Sequence, residues 1–282
     1  MKSVPLRRRL LYLAAAGILP IALMSGLALL ALFDQQRTQA ARAGQEIARA
    51  LSIAIDADIQ SSLSALQVLA NSTLLDSDDL SGFERALART MPQQQNWRAA
   101  LLLDPAGVPV VRTGNRDGGP PPHLVERESF ERVLAERRPL IGFLARGPGG
   151  DWAVPLRVPV VRDGRVHYVL TAAVKADSIA DIVRRQRLPE AWVVTVVDGK
   201  GQRIVRLPGQ EKLIGTPASA TLTHLMASSQ NEGMGITETT EGTRVYTAYA
   251  RAALPGWSVA LGVPESVVLA GARRSLATYG AG

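Results

Sequence analysis

Apolar residues recur at steps of three or four positions between residues 34 and 70, and polar residues occupy the other faces. The apolar stripe consists of Ile47, Leu51, Ile55, Ile59, Leu63, Leu66 and Ala70. This spacing predicts one long amphipathic helix, about 55 Å in length at a rise of 1.5 Å per residue. Its stripe can pack against its own chain or against a second copy, and we expect each in different segments.

A longer apolar run precedes that helix. Residues 10–33 contain no charged side chain and follow an arginine-rich start. A membrane-spanning helix needs about 20 apolar residues, whereas the apolar region of a signal peptide has roughly 7 to 15. The length therefore predicts an uncleaved anchor. A signal peptide cleaved after Ala40 and a buried core helix stay open as alternatives. The positive-inside rule predicts that residues 1–9 are cytoplasmic and that the chain after residue 34 is extracytoplasmic.

The remaining chain contains one local pattern twice. The motif D-x(2)-G-x(4)-R begins at Asp104 and again at Asp198, and Trp97 and Trp192 open the apolar runs before the two copies. Strand, turn and strand therefore repeat together. Because the distance between the copies is that of a domain, the pattern predicts a duplicated structural unit and not a solenoid.

Hydrophobic periodicity and turn residues predict the elements of both units. For the first unit they give helices at 83–90 and 124–136, strands at 97–103, 108–112, 152–161 and 166–174, and a Gly- and Pro-rich loop at 113–122. For the second they give a hairpin at 192–207, a helical region at 218–228 and strands at 244–251 and 257–263. A helix at 177–187 links the units, and another begins after Pro264. The fold class is α+β, with two antiparallel sheets flanked by helices.

Composition and charge exclude several classes of protein. The chain has no cysteine, which excludes disulfides and thiolate metal sites and is consistent with a large periplasmic domain. The net charge is +7, but without the four basic residues at the N-terminus the chain has 28 basic and 25 acidic residues. Aromatic residues make up only 5% of the chain. No basic or aromatic footprint for nucleic acid is present.

Motifs for catalysis are missing from the sequence. The three histidines are far apart and none belongs to a His-Glu-x-x-His motif. No nucleophile elbow, dinucleotide loop or phosphate-binding loop occurs. The segment from Gly149 to Trp152 lacks the Glu and Phe of the diguanylate cyclase signature. The sequence therefore predicts no enzyme, no cofactor and no metal site within its 282 residues.

Three short segments resemble a known family. They are Arg127-Glu128-Ser129-Phe130, Val158-Pro159-Val160 followed by an Asp-Gly turn, and Gly256-Trp257-Ser258-Val259. With the long helix and the order of the two units, they make the chain similar to the double Cache (tandem PAS-like) periplasmic sensor domain of bacterial transmembrane receptors, most of all sensor histidine kinases. The implied boundaries are a cytoplasmic tail at 1–9, a transmembrane helix at 10–33, a stalk at 34–75, a membrane-distal module at 76–180, a membrane-proximal module at 181–263 and a helix at 264–282 that returns toward a second membrane span.

The resemblance implies that the first module binds a small molecule. A small organic anion needs a guanidinium group for its carboxylate and aromatic walls that exclude water. The candidate ligand-binding residues of the first module are Arg112, Arg127, Arg146, Phe130 and Trp152, and weaker candidates in the second are Arg206, Tyr246 and Tyr249. Amino-acid-binding members of the family have a larger pattern, of which only Arg127 and Trp152 have counterparts, so an amino-acid ligand is not supported.

The expected function is the small-molecule input region of a sensor histidine kinase in the bacterial inner membrane. We expect a homodimer through the stalk and a relative shift of the stalk and the returning helix of about an ångström or two when ligand binds. The alternatives are the input region of a diguanylate cyclase or chemoreceptor, and a free-standing anchored binding or scaffold protein without ligand. A secreted solute-binding protein that starts at Ala41 is a third class.

Overall fold

The computed structural model describes residues 6–114, 124–228 and 231–270. Its longest element is α1 (Leu6–Ala70). The predicted apolar stripe of α1 is confirmed, since Leu51, Ile55 and Ile59 are completely buried against the sheets of the same chain. Within the described ranges, no helix combines the length and the apolar character that crossing a bilayer requires. The anchor at 10–33 therefore stays a prediction.

The first module contains one antiparallel sheet. Its strands are β1 (Trp97–Leu103), β2 (Pro109–Gly114), β3 (Leu140–Ile141), β4 (Ala145–Arg146), β5 (Trp152–Arg162) and β6 (Arg165–Lys175), and its helices are α2 (Leu80–Thr90) and α3 (Arg127–Glu136). The strand order is β2-β1-β6-β5-β3, and β4 also pairs with β5. Sequence reasoning missed β3 and β4 because two residues are too short for a period-two pattern. Of the predicted loop 113–122, the first two residues belong to β2 and the rest lies outside the described residues.

The second module has the same strand order. After the linking helix α4 (Ala176–Arg184) come β7 (Val193–Val197), β8 (Arg203–Leu207), α5 (Gln210–Leu213), α6 (Ala220–Ser228), β9 (Glu232–Glu238), β10 (Arg244–Arg251) and β11 (Ser258–Pro264). The order β8-β7-β11-β10-β9 repeats that of the first sheet and supports the predicted duplication. Sequence reasoning missed β9, whose two glycines weaken a strand pattern. Residues 265–270 are helical, and the remainder of the predicted returning helix lies outside the described residues.

The two copies of the repeated motif form the same turn. In each, the aspartate side chain (Asp104 or Asp198) accepts hydrogen bonds of 2.8–3.0 Å from the backbone N–H groups two and four residues further on. The glycine of each turn is in the left-handed region, with φ of +86° at Gly107 and +80° at Gly201. A side chain is disfavoured at that backbone conformation. The motif is therefore a structural hairpin turn that sets the register of the two strands it joins.

One hydrophobic core joins both modules through α1. The face of each sheet that packs on α1 is called the inner face, and the opposite one the outer face. The N-terminal part of this contact involves the second module, where Arg49 donates a hydrogen bond of 2.7 Å to the side chain of Glu232. At the C-terminal end of α1, the carbonyl of Ala70 accepts one of 3.2 Å from the side chain of Arg162 in the first module. A single cluster of buried apolar residues runs along α1 and includes residues of both inner faces.

Candidate functional site

A row of residues crosses the outer face of the first sheet. Arg112 on β2, Leu101 on β1, Thr171 on β6 and Arg157 on β5 are successive register partners. Directly opposed residues of antiparallel strands point to the same face, so these four side chains share the outer face. Phe130 of α3 packs on that face in a second apolar cluster. Arg112 and Phe130, two of the predicted site residues, therefore belong to one surface.

Arg157 is the central charged residue of this face, and sequence reasoning missed it. Its side chain is only 1% exposed. Nε donates to Ser129 Oγ at 2.7 Å, Nη1 donates to Thr171 Oγ1 at 3.3 Å, and Nη2 donates to the carbonyls of Val125 and Glu126 at 2.7 and 2.8 Å. Arg157 thereby fixes the entry to α3 onto the sheet. A lone charged residue in the middle of an apolar strand is a signal in the sequence that could have identified it.

Burial sets the electrostatics of Arg157. It lowers the pKa of the guanidinium group to about 10, and the Glu126 carboxylate at 4.0 Å acts in the opposite direction. Arg157 is therefore charged at neutral pH. The same Glu126 side chain accepts a hydrogen bond of 3.1 Å from the N–H of Ser129 and so caps the N-terminus of α3. Arg157, Glu126 and Ser129 thus form one buried polar cluster at the start of α3.

The other end of the row is more open. Ala99, Leu101, Arg112 and Ala173 are only partly buried, whereas Thr171 and Arg157 are buried. Ala99 and Ala173 are register partners in the neighbouring row on the same face. The small side chains of the alanines leave space above this part of the sheet, and Arg112 lies at its edge. We call this surface, formed by Ala99, Leu101, Ala173 and Arg112, the alanine floor. A guanidinium group beside such a floor can bind a carboxylate in a bidentate manner.

The structure places the other three predicted residues elsewhere. Arg127 is 65% exposed, and its side chain lies 3.6 Å from Glu131 on the next turn of α3. Arg146 stacks on the ring of Trp152, with 4.8 Å between Cζ and the ring centroid. Trp152 in turn contacts Gly215 of the second module, where an added Cβ would come within 2.3 Å of the indole ring. Arg146 and Trp152 therefore stand at the boundary between the modules.

That boundary connects the second module to α3. The Asp198 side chain, which caps the β7–β8 turn, also accepts a hydrogen bond of 3.2 Å from the N–H of Leu144 in the first module. Lys200 of the same turn forms an ion pair with Glu128 in α3 and lies 4.2 Å from the ring centroid of Phe143. A displacement of the α3 N-terminus would therefore act directly on the second module.

The repeated motif places equivalent arginines on the two outer faces. Arg112 pairs with Leu101 and Arg206 pairs with Thr195, and both partners stand three residues before the turn aspartate. Arg206 is only 4% exposed. The other two second-module candidates differ from it. Tyr249 is buried beside α6 and donates to the carbonyl of Met226 at 3.4 Å, whereas Tyr246 packs on the core along α1.

Comparison with known proteins defines the class of this chain. The Cache domain family matches residues 34–272, and the chain belongs to that family. The double arrangement of its modules fits the resemblance inferred from the sequence. Within the part of the chain that the structure describes, no group of three or more histidine, aspartate or glutamate residues could hold a metal ion. The comparison with curated proteins gives no match.

Several solved structures share the fold. The extracellular domain assigned to a histidine kinase, rpHK1S-Z16, has a TM-score of 0.68 at 15% identity, over 83% of this chain and 98% of that chain. The ligand-binding domain of Mlp24 with asparagine has a TM-score of 0.64 at 17% identity, over 86% and 99%. The periplasmic sensory domain of the Campylobacter jejuni chemoreceptor Tlp1 has a TM-score of 0.65 at 13% identity, over 83% and 98%. The chain is thus a Cache domain that resembles extracellular ligand-binding domains of histidine kinases and chemoreceptors.

Proposed function

We propose that this chain is the extracytoplasmic input region of a membrane-bound signalling receptor and that its first module binds a small organic anion. The observation that carries the proposal is Arg112 at the edge of the partly exposed alanine floor, on the face that α3 covers. The guanidinium would bind the carboxylate of the ligand, and the apolar floor would contact its carbon atoms. Membership of the Cache family supports a ligand-binding role.

The contacts around α3 supply a path for the signal. A ligand on the alanine floor would draw α3 and its preceding segment toward Arg112. The start of α3 is joined to the second module through Glu128 and Lys200. Both modules pack on the continuous helix α1, so a change in their relative position becomes a displacement of α1. Such a displacement requires that the ligand bind the two arrangements with different affinity.

The proposed placement in the cell follows from the two ends of α1. Residues 10–33 would anchor the chain in the bacterial inner membrane, with residues 1–9 in the cytoplasm. Because the second module contacts α1 at Arg49 and the first contacts it at Ala70, the second would be the membrane-proximal module and the first the membrane-distal one. The exposed side of α1, which includes Ile53 and Val68, would form the homodimer contact.

A sensor histidine kinase is the proposed parent of this input region. The similar structures include domains of histidine kinases and of chemoreceptors, so a chemoreceptor, or a diguanylate cyclase with the same kind of input, is the alternative. An anchored scaffold protein without ligand is the second functional class. The alanine floor with Arg112 at its edge favours ligand binding over the scaffold, because a guanidinium group beside an apolar surface suits a small carboxylate.

A thermal melt of the full chain in detergent tests the proposal. The compounds are organic acids, amino acids, amines and nucleobases, and a compound that binds only the folded state stabilises it by about 2.7 kcal/mol at a hundred times its Kd. We expect an organic acid larger than acetate to raise the melting midpoint and Arg112→Gln to remove that shift. Arg132→Gln, which removes an exposed charge from α3, is the control and should retain it.

Two outcomes would contradict this assignment. If Arg127→Gln removes the shift while Arg112→Gln retains it, the ligand is bound at the exposed start of α3 and not on the alanine floor. If no compound shifts the midpoint of a well-folded sample, the scaffold class replaces the sensor class.

A further inference from the structure

A small cavity lies on the outer face of the second sheet, beside α6. Its walls include Arg203, Arg206, Thr195, Thr237, Thr247 and Leu222. The space open to the centres of water-sized molecules is about 30 Å³. A single water needs roughly 10–15 Å³ by the same measure, so the cavity has room for about two waters or for one carboxylate group with little attached to it. All five polar side chains in this group are at least nine-tenths buried.

Arg203 is incompletely satisfied in this cavity. The residue is 3% exposed, and Nη1 donates to Thr216 Oγ1 at 2.7 Å. Its buried Nε–H has no acceptor among the residues that the structure describes. Burial and the neighbouring charge of Arg206 lower the pKa of Arg203. A buried N–H of a charged group without an acceptor is costly, so an acceptor of negative charge would stabilise the site.

Arg206 already binds a carboxylate, and that carboxylate comes from the chain itself. Its Nη2 lies 3.1 and 3.2 Å from the two carboxylate oxygens of Glu241, in the turn between β9 and β10. Nη1 donates to the carbonyl of Pro208 at 2.7 Å. The Glu241 side chain is half exposed, and Glu238, also exposed, stands at the rim of the cavity. The two arginines are thus buried inside, and the two carboxylates that accompany them reach solvent.

We propose that this cavity is a second anion site that binds the carboxylate group of a short organic acid, of the size of formate or acetate. The ligand's oxygens would accept hydrogen bonds from Nε of Arg203 and from the guanidinium of Arg206, and Glu241 would move out to solvent. Glu241 is then a tethered competitor that occupies Arg206 in the absence of ligand. The volume of the cavity limits the carbon chain to one or two atoms.

The polar lining supports a carboxylate ligand over a neutral one. Thr237 and Thr247 share a hydrogen bond of 2.7 Å between their hydroxyl oxygens, and either hydroxyl can serve as the donor. Hydroxyl groups and two guanidinium groups together offer several donors to a single anion. This site is separate from the alanine floor of the first module, and it does not depend on the function proposed for that floor.

The test is isothermal titration calorimetry, in which sodium formate or sodium acetate is added to the full chain in detergent. The ionic strength is held constant with sodium chloride. We expect both acids to bind the wild type. Arg203→Lys keeps the positive charge but removes the Nε–H donor, and we expect it to weaken binding by about tenfold or more. Glu241→Gln should strengthen binding, because the competing carboxylate is lost.

The matched controls separate this site from the first module. Arg132→Gln, which changes an exposed arginine outside both proposed sites, should leave formate and acetate binding unchanged. If Arg112→Gln removes the binding and Arg203→Lys does not, the acids bind on the alanine floor, the proposed function stands and the second-site proposal is wrong. Absence of binding in both the wild type and Glu241→Gln would also overturn it. Glu241 is in a half-exposed turn, so this variant should fold even if Arg203→Lys does not.

Discussion

The outer faces of the two modules have the same strand order but use their buried arginines differently. In the first module, Arg157 donates to two backbone carbonyls and two hydroxyls, so the chain itself supplies its acceptors. In the second, Arg206 is bound by the half-exposed Glu241, and Arg203 has a buried donor without an acceptor among the described residues. In the first module the buried arginine therefore holds α3 on the outer face, while in the second module the buried arginines can donate hydrogen bonds to an anion.

This difference shows that buried arginines on corresponding faces can have different roles, one in holding a helix and another in offering donors to an anion. A buried arginine whose acceptors are carbonyl groups of the preceding segment contributes to the position of α3. A buried arginine whose acceptor is a half-exposed carboxylate can exchange that carboxylate for another. The position of a buried arginine therefore says less about ligand binding than its hydrogen-bond acceptors do. These acceptors decide whether a ligand can displace them.

The sharpest test of this contrast is Arg157→Met. We expect it to destabilise the protein by about 3–5 kcal/mol, because it leaves Glu126 buried without its cation and removes the contacts that hold the start of α3. Chemical denaturation of the full chain measures the effect. The control is Arg127→Met, an exposed arginine on the same helix, which should change stability by no more than about 0.5 kcal/mol. Equal effects of the two substitutions would show that Arg157 does not fasten α3.

The contact between the modules is tested by Gly215→Ala. Gly215 has φ of +76°, and a Cβ there would come within 2.3 Å of Trp152. We expect a loss of about 2–5 kcal/mol, as the sum of left-handed strain and overpacking. Gly256→Ala is the matched control, since its φ is +67° and, apart from its chain neighbours, no described residue lies within 4 Å of its Cβ position. It should cost only the strain, about 1–2 kcal/mol.

A double variant tests whether the loss of stability in Gly215→Ala arises from contact with Trp152. Combining Gly215→Ala with Trp152→Ala removes the ring that the new methyl group meets. The double variant should therefore lose less stability than the two single changes predict by addition. Strict additivity would mean that Trp152 does not pack against Gly215, and the description of the boundary would be wrong.

The smallest expected effect is the difference between Asp104→Ala and Asp198→Ala. Both substitutions remove the side chain that caps a hairpin turn, which costs about 1–2 kcal/mol by analogy with helix caps. Only Asp198 also accepts a hydrogen bond from Leu144 of the other module. We expect Asp198→Ala to cost about 1–2 kcal/mol more, since hydrogen bonds to charged groups are the stronger ones. Equal losses in denaturation experiments would show that the Asp198–Leu144 bond does not stabilise the boundary.

The sequence by itself determined the elements whose signals are local. The spacing of Leu51, Ile55 and Ile59 indicates the buried stripe of α1, and the repeated D-x(2)-G-x(4)-R motif indicates two equivalent hairpins, because a turn fixes the register of the strands it joins. The motif also marked Arg112 and Arg206, which the turns place at equivalent positions. The short strands β3 and β4 and the glycine-containing strand β9 were missed, since their local patterns are too weak.

The tertiary structure alone decided which side chains meet. Arg157 is one charged residue in a strand, and its acceptors at Val125, Glu126 and Ser129 come from a segment about thirty residues earlier. Trp152 was expected beside the ligand, and the structure places it against Gly215 of the other module. Local sequence patterns report the backbone conformation within a few residues. The burial of a charge, and the acceptors that surround it, depend on how distant segments pack and are set only when the sheets and helices come together.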